Sequence, residues 1–293
     1  MTVTHGWRQF LTDYIYLTKP WIMSLLLFTA VGGMVMAAEG MPSLGVSVAV
    51  VVGGALASGG ASALNHALER EVDTKMRRTH RRPVASLRVS PRQAALFGVV
   101  LNLLAFVVLW RWANLLSALL ALSGTLLYIF VYTRWLKRST VQNIVIGGAA
   151  GALPPLVGWA AVTGGLDLPA YYLFAIVFFW TPPHFWALSL LLREDYAAAG
   201  IPMLPVVEGE GTARGAILLY TLLLVPLTLL LFLATDRLGV LYLVGAMVLG
   251  AGFLYYALQL LRHEERAAAA RMYRYSLLYL PVLFTLVMVD AVL

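Results

Sequence analysis

The sequence predicts an all-α, polytopic membrane bundle of nine transmembrane helices, with the N-terminus cytoplasmic and the C-terminus outside. Three observations carry that expectation. The 293 residues are 61% hydrophobic and only 12% charged, with a mean hydropathy of +0.82. An ordinary soluble domain carries about 25% charged residues, and a chain with half of that could not cover its own surface in water. Nine stretches contain no Asp, Glu, Lys or Arg and are long enough, or nearly so, to cross a bilayer, which takes about 20 apolar residues. The basic residues then fall almost entirely into alternate connections. Disorder, collagen and coiled coil are excluded by the same composition, and all 293 residues are expected to form one intramembrane domain.

Taken in order, Arg8 and Lys19 precede the first span, Trp21–Ala38, and Leu44–Leu64 is the second. The next connection holds eight basic residues, Arg70, Lys75, Arg77, Arg78, Arg81, Arg82, Arg88 and Arg92. Spans three and four, Ala94–Trp110 and Trp112–Thr133, are separated by Arg111 alone, and Arg134, Lys137 and Arg138 follow. Span five, Val141–Thr163, contains Pro154-Pro155 and is expected to kink there, as span seven, Gly215–Thr235, is at Pro226. Span six, Leu168–Leu192, contains Pro182-Pro183 and is followed by Arg193 and Arg214. Span eight, Leu238–Leu261, is preceded by Arg237 and followed by Arg262, Arg266, Arg271 and Arg274. The last, Tyr275–Val289, is short and must use Asp290 at an interface. None of these stretches alternates as a transmembrane β-strand does, so helices are the remaining solution. Nineteen of the 21 basic residues lie on one side, which the positive-inside rule makes the cytoplasm. The scattered glycines read as helix-packing positions.

Composition also narrows function. With no cysteine there is no disulfide, zinc–thiolate site, iron–sulfur cluster or thiol catalysis. The net charge of +7 suggests topology first and an anionic substrate second. No nucleotide-binding glycine motif lies between a strand and a helix, and no nucleic-acid partner is expected. The first 20 residues carry Asp13 and lack a small-residue cleavage site, so no cleavable leader is expected. The lipid bilayer expected around the spans is the plasma (inner) membrane of a bacterium or archaeon. Because the spans lack charged groups, a proton or ion relay is not expected, and polar function belongs to the cytoplasmic helix ends and loops.

Two of those loops stand out. In the first, Asn65, Glu69 and Asp73 are four residues apart. If the second helix continues, each step drifts about 40° and rises about 6 Å, so the three share a face. An amide and two carboxylates form a hard oxygen surface of the kind that holds Mg²⁺ when phosphate oxygens complete its shell. The basic run that follows, Arg77, Arg78, Arg81 and Arg82, offers forked donors to the same phosphates. The alternative is a solvated interfacial loop, which explains the arginines but not the acidic stripe. In the second loop, His184 and Asp195 are eleven residues apart, three turns of one helix face, and Pro182-Pro183 is expected to break the ladder beside His184 and open a cavity. The alternative for His184 is a hydrogen bond to a neighbouring helix. Tyr132, Lys137 and Arg138 lie on the same side, either as substrate contacts or as an aromatic and basic interface belt. The site is therefore expected at the cytoplasmic ends of spans two and six. His5 and His263 have no evident partners and read as surface groups.

The segment Asn65-x3-Glu69-x3-Asp73-x-Lys75-Met76-x-Arg78-Thr79-x2-Arg82-Pro83 resembles the first motif of the UbiA-type intramembrane prenyltransferases. Leu17-Thr18-Lys19-Pro20, Tyr132-Thr133-x2-Leu136-Lys137-Arg138, Gly151-Ala152-x-Pro154-Pro155 and Pro183-His184-Phe185 through Ile201-Pro202-Met203-Leu204-Pro205 resemble the branch of that family that farnesylates heme. The likeness covers about residues 17 to 205. It departs at Glu69, where the family's motif usually has Asp, and in the second aspartate-rich motif, of which Asp195 and Glu194 remain. The resemblance implies farnesyl diphosphate and heme b as substrates, heme O and diphosphate as products, and Mg²⁺ as cofactor. It implies Asn65, Glu69, Asp73 and Asp195 as metal ligands, with Lys75 assisting catalysis. Arg77, Arg78, Arg81, Arg82, Tyr132, Lys137, Arg138, His184 and Arg193 are implied as substrate contacts, His184 toward heme. Heme A synthase or oxidase assembly proteins are the implied partners. The rival expectations are a UbiA-type enzyme with a quinone precursor or chlorophyllide as acceptor, and a non-enzymatic transporter or heme carrier.

Overall fold

The structure, a computed structural model, describes residues 6–293; His5 lies outside the described residues. No strand occurs among them, and nine of their helices are long and apolar enough to cross a membrane. A short helix α1 (Trp7–Leu17) precedes the bundle; the sequence reading had no helix there. Asp13 is buried beneath it and accepts from Arg88 Nε at 3.1 Å, while Trp7, Phe10 and Ile15 face outward.

The first two spans are α2 (Pro20–Ala38) and α3 (Leu44–Leu68), and a one-and-a-half-turn helix α4 (Arg70–Lys75) follows α3. A Ser90–Gln93 capping box starts α5 (Pro91–Trp112), each partner satisfying an orphan amide of the first turn. The fourth span is composite. It begins as α6 (Leu115–Leu126), widens into a π-helix over Leu127–Leu136, and ends in α7 (Lys137–Ser139). The fifth is broken at Leu153 into α8 (Asn143–Ala152) and α9 (Pro154–Thr163), as Pro154-Pro155 requires. By contrast, α10 (Leu168–Leu191) runs unbroken through Pro182 and Pro183. Short helices α11 (Arg193–Ala198) and α12 (Leu204–Val207) lead to α13 (Glu210–Leu233), which continues through Pro226. The chain ends in α14 (Val240–Arg262) and α15 (Arg266–Asp290). The last helix begins nine residues before the charge-free stretch, so Arg266, Arg271 and Arg274 ride its first turns. Asp290 finishes α15 and accepts from the backbone amides of Gly239 (2.6 Å) and Tyr242 (2.9 Å), capping the start of α14.

The packing is that of a membrane protein. Leucines and valines such as Leu103, Val107 and Leu233 are more than half exposed on the outer faces, a surface that only lipid can cover. The innermost span is α10, with 61% of its apolar window buried; it packs on α13, α15 and α8. Without a hydrophobic driving force between helices in lipid, close approach and polar bonds hold them. Gly60 and Gly98 face one another across the α3–α5 contact, where a Cβ on either would lie 2.7 Å from the other's carbonyl oxygen. Thr125 donates to Asn102 at 2.7 Å, Asn114 to the Ala160 carbonyl at 2.6 Å, and Tyr242 to the Thr228 carbonyl at 2.8 Å.

Candidate functional site

The end of α3 positions the acidic stripe. The helix loses its geometry at Glu69, whose φ and ψ are −98° and 11°, but its hydrogen bonds bridge the break. Glu69 N donates to Asn65 O at 2.9 Å and Asp73 N to Glu69 O at 2.8 Å. The four-residue spacing therefore survives, and Asn65, Glu69 and Asp73 come out on one side. All three are buried, at 2%, 3% and 3% exposure; they form the floor of a site and not a solvated face.

Buried carboxylates require partners, and three cations converge on them. Lys137, just after the π-helix, forms an ion pair and hydrogen bond with Glu69. Arg82 Nη1 donates to both oxygens of Asp73, at 2.9 and 3.0 Å. Lys19 Nζ donates to Asn65 Oδ1 at 3.2 Å. Burial pushes the Glu69 carboxyl up, but the Lys137 ammonium and the hydrogen bonds from Lys137 and Asn65 outweigh it, so it lies below its ordinary value and stays ionised. Burial drives Lys19 the other way, to about 7, helped by Arg82 and Lys137 and opposed by Glu69 and Asp73. His66, fully buried, stands with Nδ1 4.0 Å from Asp73 Oδ2.

The π-helix supplies the facing wall. Its Thr133 Oγ1 donates to the Tyr128 carbonyl five residues back (2.8 Å) and accepts from Asn65 Nδ2 (3.2 Å). The amide of Asn65 is thereby oriented from both ends. Tyr128 and Tyr132 stack at 5.7 Å, and the Lys137 ammonium lies 5.8 Å from the Tyr132 ring centre. A π-turn commonly marks a functional position; here the wider turn carries two tyrosines, a threonine and Lys137 to the end of α3. Arg78 is within electrostatic reach of Tyr132 and of Tyr273 on α15.

The other expected residues are not gathered there. Lys75 ends α4 exposed to solvent, and Arg81 and Arg138 are exposed as well. Arg77 instead lines a charged cavity of about 430 Å³ with Arg193, Asp195, Glu210 and Arg214. Arg193 pairs with Glu210 at 3.4 Å. Between His184 and Asp195 the chain leaves helical geometry at Leu192 (φ −114°, ψ 21°) and goes on as α11, with Leu192 N donating to Leu188 O and Tyr196 N to Leu192 O, both at 3.1 Å, across the break. The helix runs on through Pro182-Pro183, although neither proline has an N–H to donate to its ladder. His184 Nδ1 is 2.8 Å from Ser276 Oγ, and the ring stacks on Trp180 at 4.4 Å and Tyr273 at 5.0 Å. This is the contact between neighbouring helices that the sequence left open. Asp195 is not brought into one cluster with Glu69 and Asp73: no group of three His, Cys, Asp or Glu residues among the described residues is placed to hold a metal.

The donor set that remains, one amide oxygen and two carboxylates, fits Mg²⁺, which is commonly held by one or two carboxylates plus substrate phosphates. Lys19, Thr133 and Tyr128 were not singled out as site residues in the sequence. Lys19 was read as a topology signal, although its place immediately before Pro20 in the Leu-Thr-Lys-Pro segment was a pointer.

Comparison with known proteins gives the family and the fold. A profile of the UbiA prenyltransferase family matches residues 25–280. A protoheme IX farnesyltransferase of Thermus thermophilus is 53% identical over 284 residues, covering 97% of this chain and 46% of the relative. One of Symbiobacterium thermophilum is 53% identical over 286 residues, covering 96% and 95%. The chain thus spans about half the length of the first relative and nearly all of the second. A UbiA homologue from Archaeoglobus fulgidus, solved with DMAPP and Mg²⁺, superposes with a TM-score of 0.68 at 17% identity, over 94% of this chain and 99% of that one.

Proposed function

Since the chain belongs to the UbiA prenyltransferase family, we propose that it transfers a farnesyl group from farnesyl diphosphate to a vinyl group of heme b. The products are heme O and diphosphate, and the use is heme-copper oxidase biogenesis. The observation that carries the reading is the buried cluster of Asn65, Glu69 and Asp73 under Lys19, Arg82 and Lys137, at one end of an apolar bundle. The names of the relatives support heme as acceptor.

The chemistry asks the chain for three things. Diphosphate leaves an allylic carbon with the bonding electron pair only where its growing negative charge is met. Arg82 and Lys137, already held at the site by Asp73 and Glu69, meet it without reorganisation. Bound through Asn65, Glu69 and Asp73, Mg²⁺ would add a divalent charge beside the same oxygens. The allylic cation must be kept from water until the vinyl π electrons attack it, and the apolar interior behind Tyr128 and Tyr132 excludes water. The faces of these stacked rings also favour a cation over them. Water then captures the new cation on the porphyrin side chain and loses a proton. Arg77, Arg78 and Arg81, more exposed, serve arrival of the anionic donor. The site faces the cytoplasm of a bacterial or archaeal plasma membrane on this reading. Heme A synthase or an oxidase assembly factor is the partner that would receive the product.

The test is to supply purified protein with farnesyl diphosphate, heme b and Mg²⁺. A product of the mass of heme O, formed with stoichiometric diphosphate release, is the expected outcome. Release without heme dependence would move the acceptor to another class, and no release at all would leave a carrier.

A further inference from the structure

We propose that Asp13 and Arg88 are positioning residues of this transfer, acting through Arg82, the arginine that meets the leaving diphosphate. The inference rests on the prenyl-diphosphate reading of the site and reaches back from it to α1. Arg88 stands where α1 meets the connection between spans two and three, and each arm of its fork is used. Nε donates to both oxygens of Asp13, at 3.1 and 3.2 Å. Nη1 donates to Ser86 Oγ at 2.7 Å, and Nη2 to the Arg81 carbonyl at 3.1 Å. That carbonyl belongs to the peptide group whose nitrogen is that of Arg82. The same peptide is held from its other side, where Arg82 N donates to the Thr79 carbonyl at 2.9 Å. A guanidinium is a rigid planar fork, so fixing Nε on Asp13 fixes where Nη2 points. Asp13 on α1 thereby sets the backbone from which Arg82 reaches Asp73.

Two observations set this pair apart from an ordinary surface bridge. Asp13 is 3% exposed, and a carboxylate so buried depends on the groups that bond it: Arg88 and, at 3.2 Å, Gln9 Nε2. The residue before Arg88, Leu87, lies in the left-handed region at φ 62°. A bulky residue is rarely found there, and such a conformation persists where its surroundings over-determine it. The leucine side chain, 62% exposed, does little to hold it. The neighbours do: Val84 and Val89 are buried with Leu17 of α1, and Arg88 is tied to Asp13. The turn carries the strain and brings the Arg88 fork beneath α1 and against the Arg81 carbonyl.

Arg88→Lys separates positioning from pairing alone, since an ammonium keeps the charge beside Asp13 but not the fork to the Arg81 carbonyl. Pyrophosphate with Mg²⁺ is titrated calorimetrically into detergent-solubilised wild type, Arg88→Lys, Arg82→Gln and the double variant, with thermal midpoints recorded alongside. The expected result for Arg88→Lys is a loss of pyrophosphate affinity on the order of tenfold or more, as small misplacements of a site group produce, at a midpoint near that of wild type. In the Arg82→Gln background the same change brings no further loss, because the group it acts through is gone. A folded Arg88→Lys with wild-type affinity overturns the inference and leaves Arg82 and the reading of the site standing. A loss of equal size in both backgrounds overturns it too. Wild type that binds no pyrophosphate overturns both the inference and the reading. Should Arg88→Lys not fold, Asp13→Asn takes its place and is judged by the same two comparisons.

Discussion

Asp73 carries two duties at once. It neutralises Arg82 inside the protein, and it offers oxygens to the proposed metal. Asp73→Asn keeps the shape and one acceptor but removes the charge. Farnesyl transfer at saturating Mg²⁺ is expected to fall on the order of 10²–10³-fold, since several kcal/mol of leaving-group stabilisation go with it. The thermal midpoint falls as well, because a buried cation loses its partner. Initial rates on the folded variant decide it: near-normal turnover would reduce Asp73 to a counter-ion for Arg82. His184 poses the opposite case. It has the sequence context of a heme contact, yet its Nδ1 meets Ser276 and its ring is held against Trp180 and Tyr273. His184→Ala is expected to lower stability by about 0.6–2 kcal/mol, the range for an interhelical polar contact in a membrane, with KM for heme and for farnesyl diphosphate moving alike. A rise confined to heme would assign the imidazole to the acceptor.

Among the elements, α3 and the composite fourth span matter most, because the site is the place where their ends meet. Asn65 and Thr133 join them directly. The seating of α3 depends in turn on α5, where Gly60 and Gly98 bring the two backbones together. Gly98→Ala sets a methyl 2.7 Å from the Gly60 carbonyl and 2.8 Å from Leu64 Cγ, so the helices must separate. Overpacking of this kind costs about 1–3 kcal/mol. The displaced end of α3 should also weaken pyrophosphate binding, although no residue of the site is changed. A Gly98→Ala protein of unaltered midpoint would show that α3 and α5 have room the contact does not display. Helix ends were less legible than spans. Pro154-Pro155, read as a kink, divides its helix, whereas the helices run on through Pro182-Pro183 and Pro226, since neighbouring helices can satisfy the carbonyls that a proline frees.

For the whole molecule, nine antiparallel crossings bring the connections after spans two, six and eight to one end, where Arg77, Asp195 and Glu264 share a cavity. Glu39, Asp167, Arg237 and the C-terminal Leu293 line another at the opposite end. On the positive-inside rule, the charge asymmetry of the sequence, nineteen basic residues against two, leads us to propose the first end as the cytoplasmic one. Reporters fused at the two termini should therefore score on opposite sides, the N-terminal one inside. Both termini in the cytoplasm would contradict the nine-span topology.

The number of spans, their order and the residues of the acidic stripe are local properties. A bilayer demands about 20 uncharged residues per crossing, and an amide and two carboxylates at four-residue spacing must share a helix side wherever the helix goes. What the cations do is not local. Lys19, Arg82 and Lys137 come from three separate connections, 46 to 68 residues from the α3 groups in the case of Lys19 and Lys137. The charge of Lys19 alone does not distinguish a lysine that marks topology from one turned inward onto Asn65; only the Leu-Thr-Lys-Pro segment around it was a pointer. Folding decided these points, because charges at the edge of a membrane are free to snorkel into water until packing of other helices closes some of them in.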